Sequence, residues 1–286
     1  TVLEHEAQVG GCLQTFRRGA ALFDTGFHYV GALGEGESLH TLFSYFDLMS
    51  LPWKKLDEDC FDEVVIGEDA FAFANKHQRF YERMSARFPK EREGLKKYVD
   101  FLKQVGDHIF DSFNLQNEGT FTNSLFARSA YEFLNETIKD PLLRKVLSGT
   151  SLKMELNAPT LPLYTFAQIN DSFIRSAWRL RGGGMQIADK LVGGIEAMGG
   201  EVKTRTIVTY IKEEDGKVVG VTINDEDYLE ADWVISSTHP AYTVSLVGDS
   251  KKMRRIYRDR IANLDNTFGM FTANIRLKPG MLPYQN

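Results

Sequence analysis

Two glycine-marked α/β stretches lie at opposite ends of this chain with a long helical middle between them, and that arrangement restricts the fold more than any other feature. The first opens on an apolar, strand-like tripeptide, Thr1, Val2 and Leu3, followed by Glu4 and a glycine turn at Gly10 and Gly11. A second strand-like piece over residues 20–23 leads into Asp24, Thr25 and Gly26. The α/β pattern returns only at Gly182, Gly183 and Gly184, before a helix with Met185, Ile187, Leu191 and Ile195 on one side that closes at Gly199 and Gly200. Strand-like runs follow at residues 201–210, at 218–223 after a turn at Asp215 and Gly216, at 232–235 and at 268–277.

The middle obeys a different period. Leu95, Val99, Leu102, Val105, Ile109 and Phe113 fall three or four apart, which predicts a helix over residues 91–113 with one buried face, started near Pro89. A shorter helix is expected over 130–138, and Asp140 with Pro141 reads as the N-cap and first position of another that runs to Leu147. Before them, residues 63–66 and 70–74 flank Gly67, Glu68 and Asp69 as a hairpin. With 43% hydrophobic residues in 286, there is apolar material for one large or two interleaved domains. The division expected is residues 1–60 with 182–250 as one discontinuous α/β domain, and 61–181 with 251–286 as an α+β cap.

Charge and residue usage remove several function classes. A net charge of -5 with no basic tract excludes the electrostatic footprint of a nucleic-acid binder. Cys12 and Cys60 form no CxxC or Cys/His set, which fits a reducing compartment, and six scattered histidines show no metal-ligand spacing. Ser236 to His239 lacks the GxSxG elbow of a hydrolase. No apolar run is long enough to span a bilayer and no signal peptide begins the chain, so a cytoplasmic location is expected, with peripheral membrane contact as the alternative. Oligomeric state leaves no signal.

Glu4 stands immediately after an apolar strand, where a dinucleotide fold places an acid for the adenosine ribose, and Gly10 and Gly11 allow backbone to approach a pyrophosphate. Each feature alone is commonplace, since acids end strands and glycine pairs make turns. In order, though, Val2-Leu3-Glu4, Gly10-Gly11-Cys12, Thr15-Phe16 and the string from Phe23 through Asp24, Thr25, Gly26, His28 and Tyr29 to Gly31 resemble the phytoene desaturase, carotenoid isomerase and retinol saturase family. Cys12, where many relatives carry arginine, and the Asp-Thr-Gly-x-His-Tyr string look most like the retinol saturase branch. The block from Gly182 to Ile235 matches in the same order.

The resemblance implies an α/β, Rossmann-like FAD/NAD(P)-binding domain with its first strand missing, joined to an α+β substrate domain. It implies FAD held by Glu4, Gly10, Gly11, Cys12, Thr15 and Val208, the last through its backbone beside the adenine. NAD(P) enters as an electron donor or acceptor, and an apolar isoprenoid, carotenoid or retinol is the substrate. His28 and Tyr29 would lie near substrate, although a structural role for His28 weighs equally, and Phe43, Tyr45, Phe46, Phe166, Phe173 and Trp178 would line a tunnel or simply fill core. One departure counts against this: no GxGxxG occurs, and Gly31, Gly34 and Gly36 follow the acid instead of preceding it. The chain, which starts at Thr1 without methionine, is therefore expected to be a fragment lacking an upstream strand and glycine loop. Two rivals remain at this stage: an amine-oxidase-like flavoenzyme, and a noncatalytic module that binds an apolar ligand.

Overall fold

The structure, a computed structural model, describes residues 1–110, 120–248, 250 and 252–283. In chain order, β1 (Val2–Leu3) precedes a 3₁₀ turn at Gly11–Leu13, the hairpin β2 (Thr15–Arg18) and β3 (Ala21–Asp24), β4 (Val30–Gly31), α1 (Ser38–Tyr45) and β5 (Trp53–Lys55). A second hairpin, β6 (Asp62–Ile66) and β7 (Asp69–Phe73), leads to α2 (His77–Arg87), α3 (Arg92–Asp107), α4 (Thr120–Phe126), α5 (Ala130–Thr137), α6 (Pro141–Leu147) and α7 (Leu163–Arg175). There follow β8 (Ala177–Leu180), α8 (Met185–Ala197), β9 (Val202–Lys203), β10 (Val208–Glu214), β11 (Lys217–Ile223), β12 (Asp227–Glu230), α9 (Pro240–Leu246) and α10 (Arg255–Ala262).

Two compact units result, Thr1–Gln14 with Met185–Thr267 and Thr15–Gly184 with Phe268–Asn286. The first is α/β. Its β1 pairs in parallel with β9, Val2 opposite Val202, and β10, β11 and β12 form an antiparallel meander. Ile211, Val221, Ile223 and Leu246 make its buried core. The run expected as one strand over 201–210 is broken into β9 and β10 because Arg205 adopts a left-handed φ of 53° while its N–H donates to Glu6 O at 3.0 Å.

The second unit holds the larger core. On α3 the expected face is realised, with Leu95, Tyr98, Val99, Leu102 and Val105 buried, although Phe113 lies outside the described residues. That face packs with Phe166, Ala167 and Ile174 of α7, and the rings of Tyr98 and Phe166 meet edge-on at 6.4 Å. Burying each such large side chain contributes about 1.5–3 kcal/mol. Asp140 caps α6 as its sequence requires, its Oδ1 accepting from Leu142 N at 2.8 Å and Leu143 N at 3.2 Å. The β6–β7 hairpin forms in register, and β4, β8 and β5 make a three-stranded antiparallel sheet.

Three expectations need correction or redrawing. Residues 232–235 and 268–277 are not strands: Trp233 is 89%, Ile235 98% and Phe271 96% exposed. A strand exists only as one side of a hydrogen-bonded ladder, and neither segment has such a neighbour among the described residues. The unit boundary falls at Gln14 instead of residue 60, so residues 15–60 pack in the second unit. The two ends of the long segment in that unit nevertheless meet. Gly183 has φ +89°, a Cβ on it would stand 2.6 Å from Thr15 Cγ2, and Asp24 Oδ1 accepts from Gly184 N at 2.7 Å.

Replacing Gly183 with alanine adds a strained backbone and an overlap with Thr15, and we expect a loss of about 1–3 kcal/mol of stability. Urea denaturation measures it; an unchanged midpoint would refute the close approach.

Candidate functional site

In the first unit the parallel pair β1–β9 fixes Glu4. Its N–H donates to Lys203 O at 2.8 Å, and its carbonyl accepts from Thr206 N at 2.9 Å. Its half-buried carboxylate accepts from Glu6 N at 2.8 Å through Oε1. Thr206 is two residues before Val208, so the acid and the start of β10 are brought to neighbouring backbone segments. Val208 pairs with Ile223 and its carbonyl accepts from the Tyr242 hydroxyl at 3.1 Å.

Gly10 and Gly11 form the start of the 3₁₀ turn, closed by Leu13 N to Gly10 O at 2.8 Å. Gly10 has φ +103°, and a Cβ there would press on Ala188 of α8 at 3.0 Å, so glycine lets this turn lie against that helix. Beside Gly11 the space is open to 4 Å, and Cys12 is exposed and outside any disulfide. A half-buried acid at the end of a strand suits the ribose end of a dinucleotide.

Thr15, His28 and Tyr29 belong to the second unit. Thr15 begins β2, and His28 is exposed. Tyr29 is half-buried in a polar knot absent from the sequence reading: its hydroxyl donates to Asp62 Oδ2 at 2.6 Å, Lys153 Nζ donates to the same oxygen at 2.8 Å, and Lys153 also bonds the Tyr29 hydroxyl. The Tyr29 and Phe173 rings lie 4.8 Å apart, with the Lys153 ammonium 4.3 Å from the Tyr29 centroid. Burial first, then the Asp62 bond, pushes the Tyr29 phenol well above its ordinary value. Burial opposes charge on Asp62, but hydrogen bonds from Lys153 and Tyr29 outweigh it and hold this carboxyl below the usual carboxylate range. Residues 29, 62 and 153 have no local spacing that would have joined them in sequence.

The aromatic residues expected along a tunnel divide among roles. Phe166 is fully buried core, Tyr45 is 83% exposed, and Phe43 packs on Trp53 at 5.5 Å. Among the described residues, no group of three His, Cys, Asp or Glu side chains is placed to hold a metal, and no helix is long and apolar enough to cross a membrane.

The model of the flavin containing amine oxidoreductase family matches residues 1–267. An all-trans-retinol 13,14-reductase from Danio rerio is 29% identical over 262 residues, covering 82% of this chain and 42% of its own length. Among solved structures, a protein from Pyrococcus furiosus superposes with a TM-score of 0.63 at 19% identity, over 93% of this chain and 59% of its own. An oxidoreductase from Methanosarcina mazei gives 0.62 at 19%, over 92% and 59%. At these identities the structural likeness is one of fold, and the chain spans about two fifths of the curated relative's length.

The lowered Asp62 carboxyl sets a pH window. Its contribution to stability is present above the unfolded carboxylate value, about 3.9, and is lost as pH falls through the lower folded value. We expect Asp62→Asn to cost about 1–3 kcal/mol at pH 7. The gap from the parent protein should narrow as pH falls through the lowered folded value of this carboxyl, as a series of urea midpoints from pH 7 into the acid range will read.

Proposed function

The chain belongs to the family of flavin-containing amine oxidoreductases, and on that premise we propose that the whole protein is an FAD-dependent oxidoreductase acting on a carbon–carbon double bond of an apolar, retinoid- or isoprenoid-like substrate. The observation that carries this reading is Glu4, held by its own backbone at the end of β1 and tied through Thr206 to the segment that begins β10. There its carboxylate would hold the ribose hydroxyls of FAD, with the backbone of Val208 and of Gly10 to Cys12 as the other groups that would hold the cofactor.

When bound, FAD supplies the hydride chemistry. The chain's own residues bind, orient and exclude water. Tyr29, kept protonated by burial and by its bond to Asp62, presents a neutral phenol that orients substrate and does not remove a proton. His28 offers an exposed imidazole beside it. The reading includes NAD(P) as electron donor or acceptor, a cytoplasmic protein with peripheral membrane contact, and an apolar small molecule as its partner. The family's description favours a second reading, oxidation of an amine.

Purified whole protein, desalted and examined by absorbance and mass, should retain FAD. Incubated anaerobically with reduced flavin and all-trans-retinol, it should yield a product heavier by two hydrogens; a diamine that releases peroxide, with retinol untouched, would install the second reading. Glu4→Ala should weaken FAD retention by about tenfold or more, the worth of a charged hydrogen bond, with Glu4→Gln intermediate. Undiminished retention by Glu4→Ala would remove the ribose assignment.

A further inference from the structure

A cavity of about 580 Å³ lies at the turn end of the β10–β11 hairpin in the first unit, within the ~300–1,000 Å³ that small-molecule sites occupy. Its walls are apolar: Val218 on β11, Val247 after α9, Met253 before α10, and Ile256 and Tyr257 on α10 itself. Ile256 is 77% and Tyr257 50% exposed, so this apolar surface stands uncovered. The walls are fastened from two sides. Ser250 donates its hydroxyl to the Glu213 carboxylate on β10 and accepts from Lys252 N at 3.2 Å and Met253 N at 3.3 Å. Half-buried Arg258 donates to the carbonyls of Val247 at 2.8 Å, Met253 at 3.3 Å and Gly248. These bonds shape the concavity before anything enters it. Val208, assigned to FAD, begins β10, whereas Glu213 stands near the strand's other end.

We propose that this cavity binds an apolar chain that ends in an acidic head group, as in a long-chain carboxylate. The walls select the chain: a concave apolar surface carrying an exposed isoleucine sheds its water only when an apolar body fills it. The rim selects the head. Lys252 and Arg254 are exposed and have no ion-pair partner among the described residues, and Glu213 is the one acid among the described lining residues. Two cations against one carboxylate leave a single positive charge, which a carboxylate head neutralises and an ammonium head opposes. Lys252 lays its stem across the turn at Gly216, where a Cβ would stand 3.0 Å from its Cε. The methylenes thereby extend the apolar wall while the ammonium stays in water at the rim. None of these residues belongs to the set assigned to FAD, and His28 and Tyr29 lie in the other unit, so the site is independent of the proposed function.

The test is calorimetric titration of the intact chain with palmitate below its micelle concentration, together with a diazirine-bearing palmitate whose cross-link is mapped by peptide mass. Saturable binding is expected, with the label on the peptide that holds Met253, Ile256 and Tyr257. Hexadecanol should bind about tenfold more weakly, and Lys252→Gln combined with Arg254→Gln should remove that difference by weakening palmitate alone. Ile256→Glu should weaken both ligands about tenfold or more. Because this side chain is 77% exposed, the variant should melt with the parent in the absence of ligand, which separates loss of binding from loss of folding. All-trans-retinoate binding as tightly as palmitate would identify acidic isoprenoids as the source of the chain, and a preference for palmitate would identify straight-chain acids. A label confined to residues 15–184 overturns the proposal, since the ligand then occupies the second unit. So does palmitate binding that Ile256→Glu leaves unchanged, or hexadecyltrimethylammonium binding as tightly as palmitate.

Discussion

The placement of Glu4 depends on two backbone hydrogen bonds, Val2 N to Glu201 O at 2.7 Å and Glu4 N to Lys203 O at 2.8 Å, which hold the beginning of the chain against β9. Closing a loop of about 200 flexible residues to make them would cost on the order of 5 kcal/mol, more than two hydrogen bonds return. The loop is not flexible, however. Residues 15–184 fold on a core of their own, and the ends of that segment are clasped by Gly183 against Thr15 and by Asp24 on Gly184. With the ends already together, β1 and β9 meet as near neighbours would, and the large helical core bears the entropic cost of the small α/β pairing.

The same pairing decides which polar groups can work together. Glu4 faces the loop between β9 and β10 because Arg205 turns left-handed and sends its N–H to Glu6, leaving Thr206 N for Glu4 O. A straight strand through residues 204–207 would have carried β10 away from the acid. The interruption that spoils a clean strand is therefore what joins Glu4 to the approach to Val208.

Polar groups in the second unit are handled in two opposite ways. Around Tyr29, an acid and an ammonium share one hydroxyl, and every charge there is met by its complement, which makes the knot a fastening for the β6–β7 hairpin and the segment that carries Lys153. At Lys54 and Arg179 the sheet sets like beside like. Folding alone favours the first arrangement over the second.

Period and cap chemistry made much of this molecule legible in the sequence. The apolar stripe from Leu95 to Val105, the Asp140-Pro141 start of α6, the hairpin at Gly67 and the helix after Gly184 rest on contacts within a few residues, so local pattern determined them. The order of the Glu4, glycine-pair and Val208 motifs likewise pointed to the flavoenzyme family. Pattern failed at residues 232–235 and 268–277, where alternation promised strands, because a ladder needs a second strand that no local signal supplies. It failed again for Tyr29 with Asp62 and Lys153, and for Lys54 with Arg179, whose partners are separated by 33 to 125 positions in the chain. The sequence by itself determined which helices and turns form and to which family they belong; tertiary structure alone decided which distant charges face one another, because long-range register is set by packing and not by neighbours along the chain.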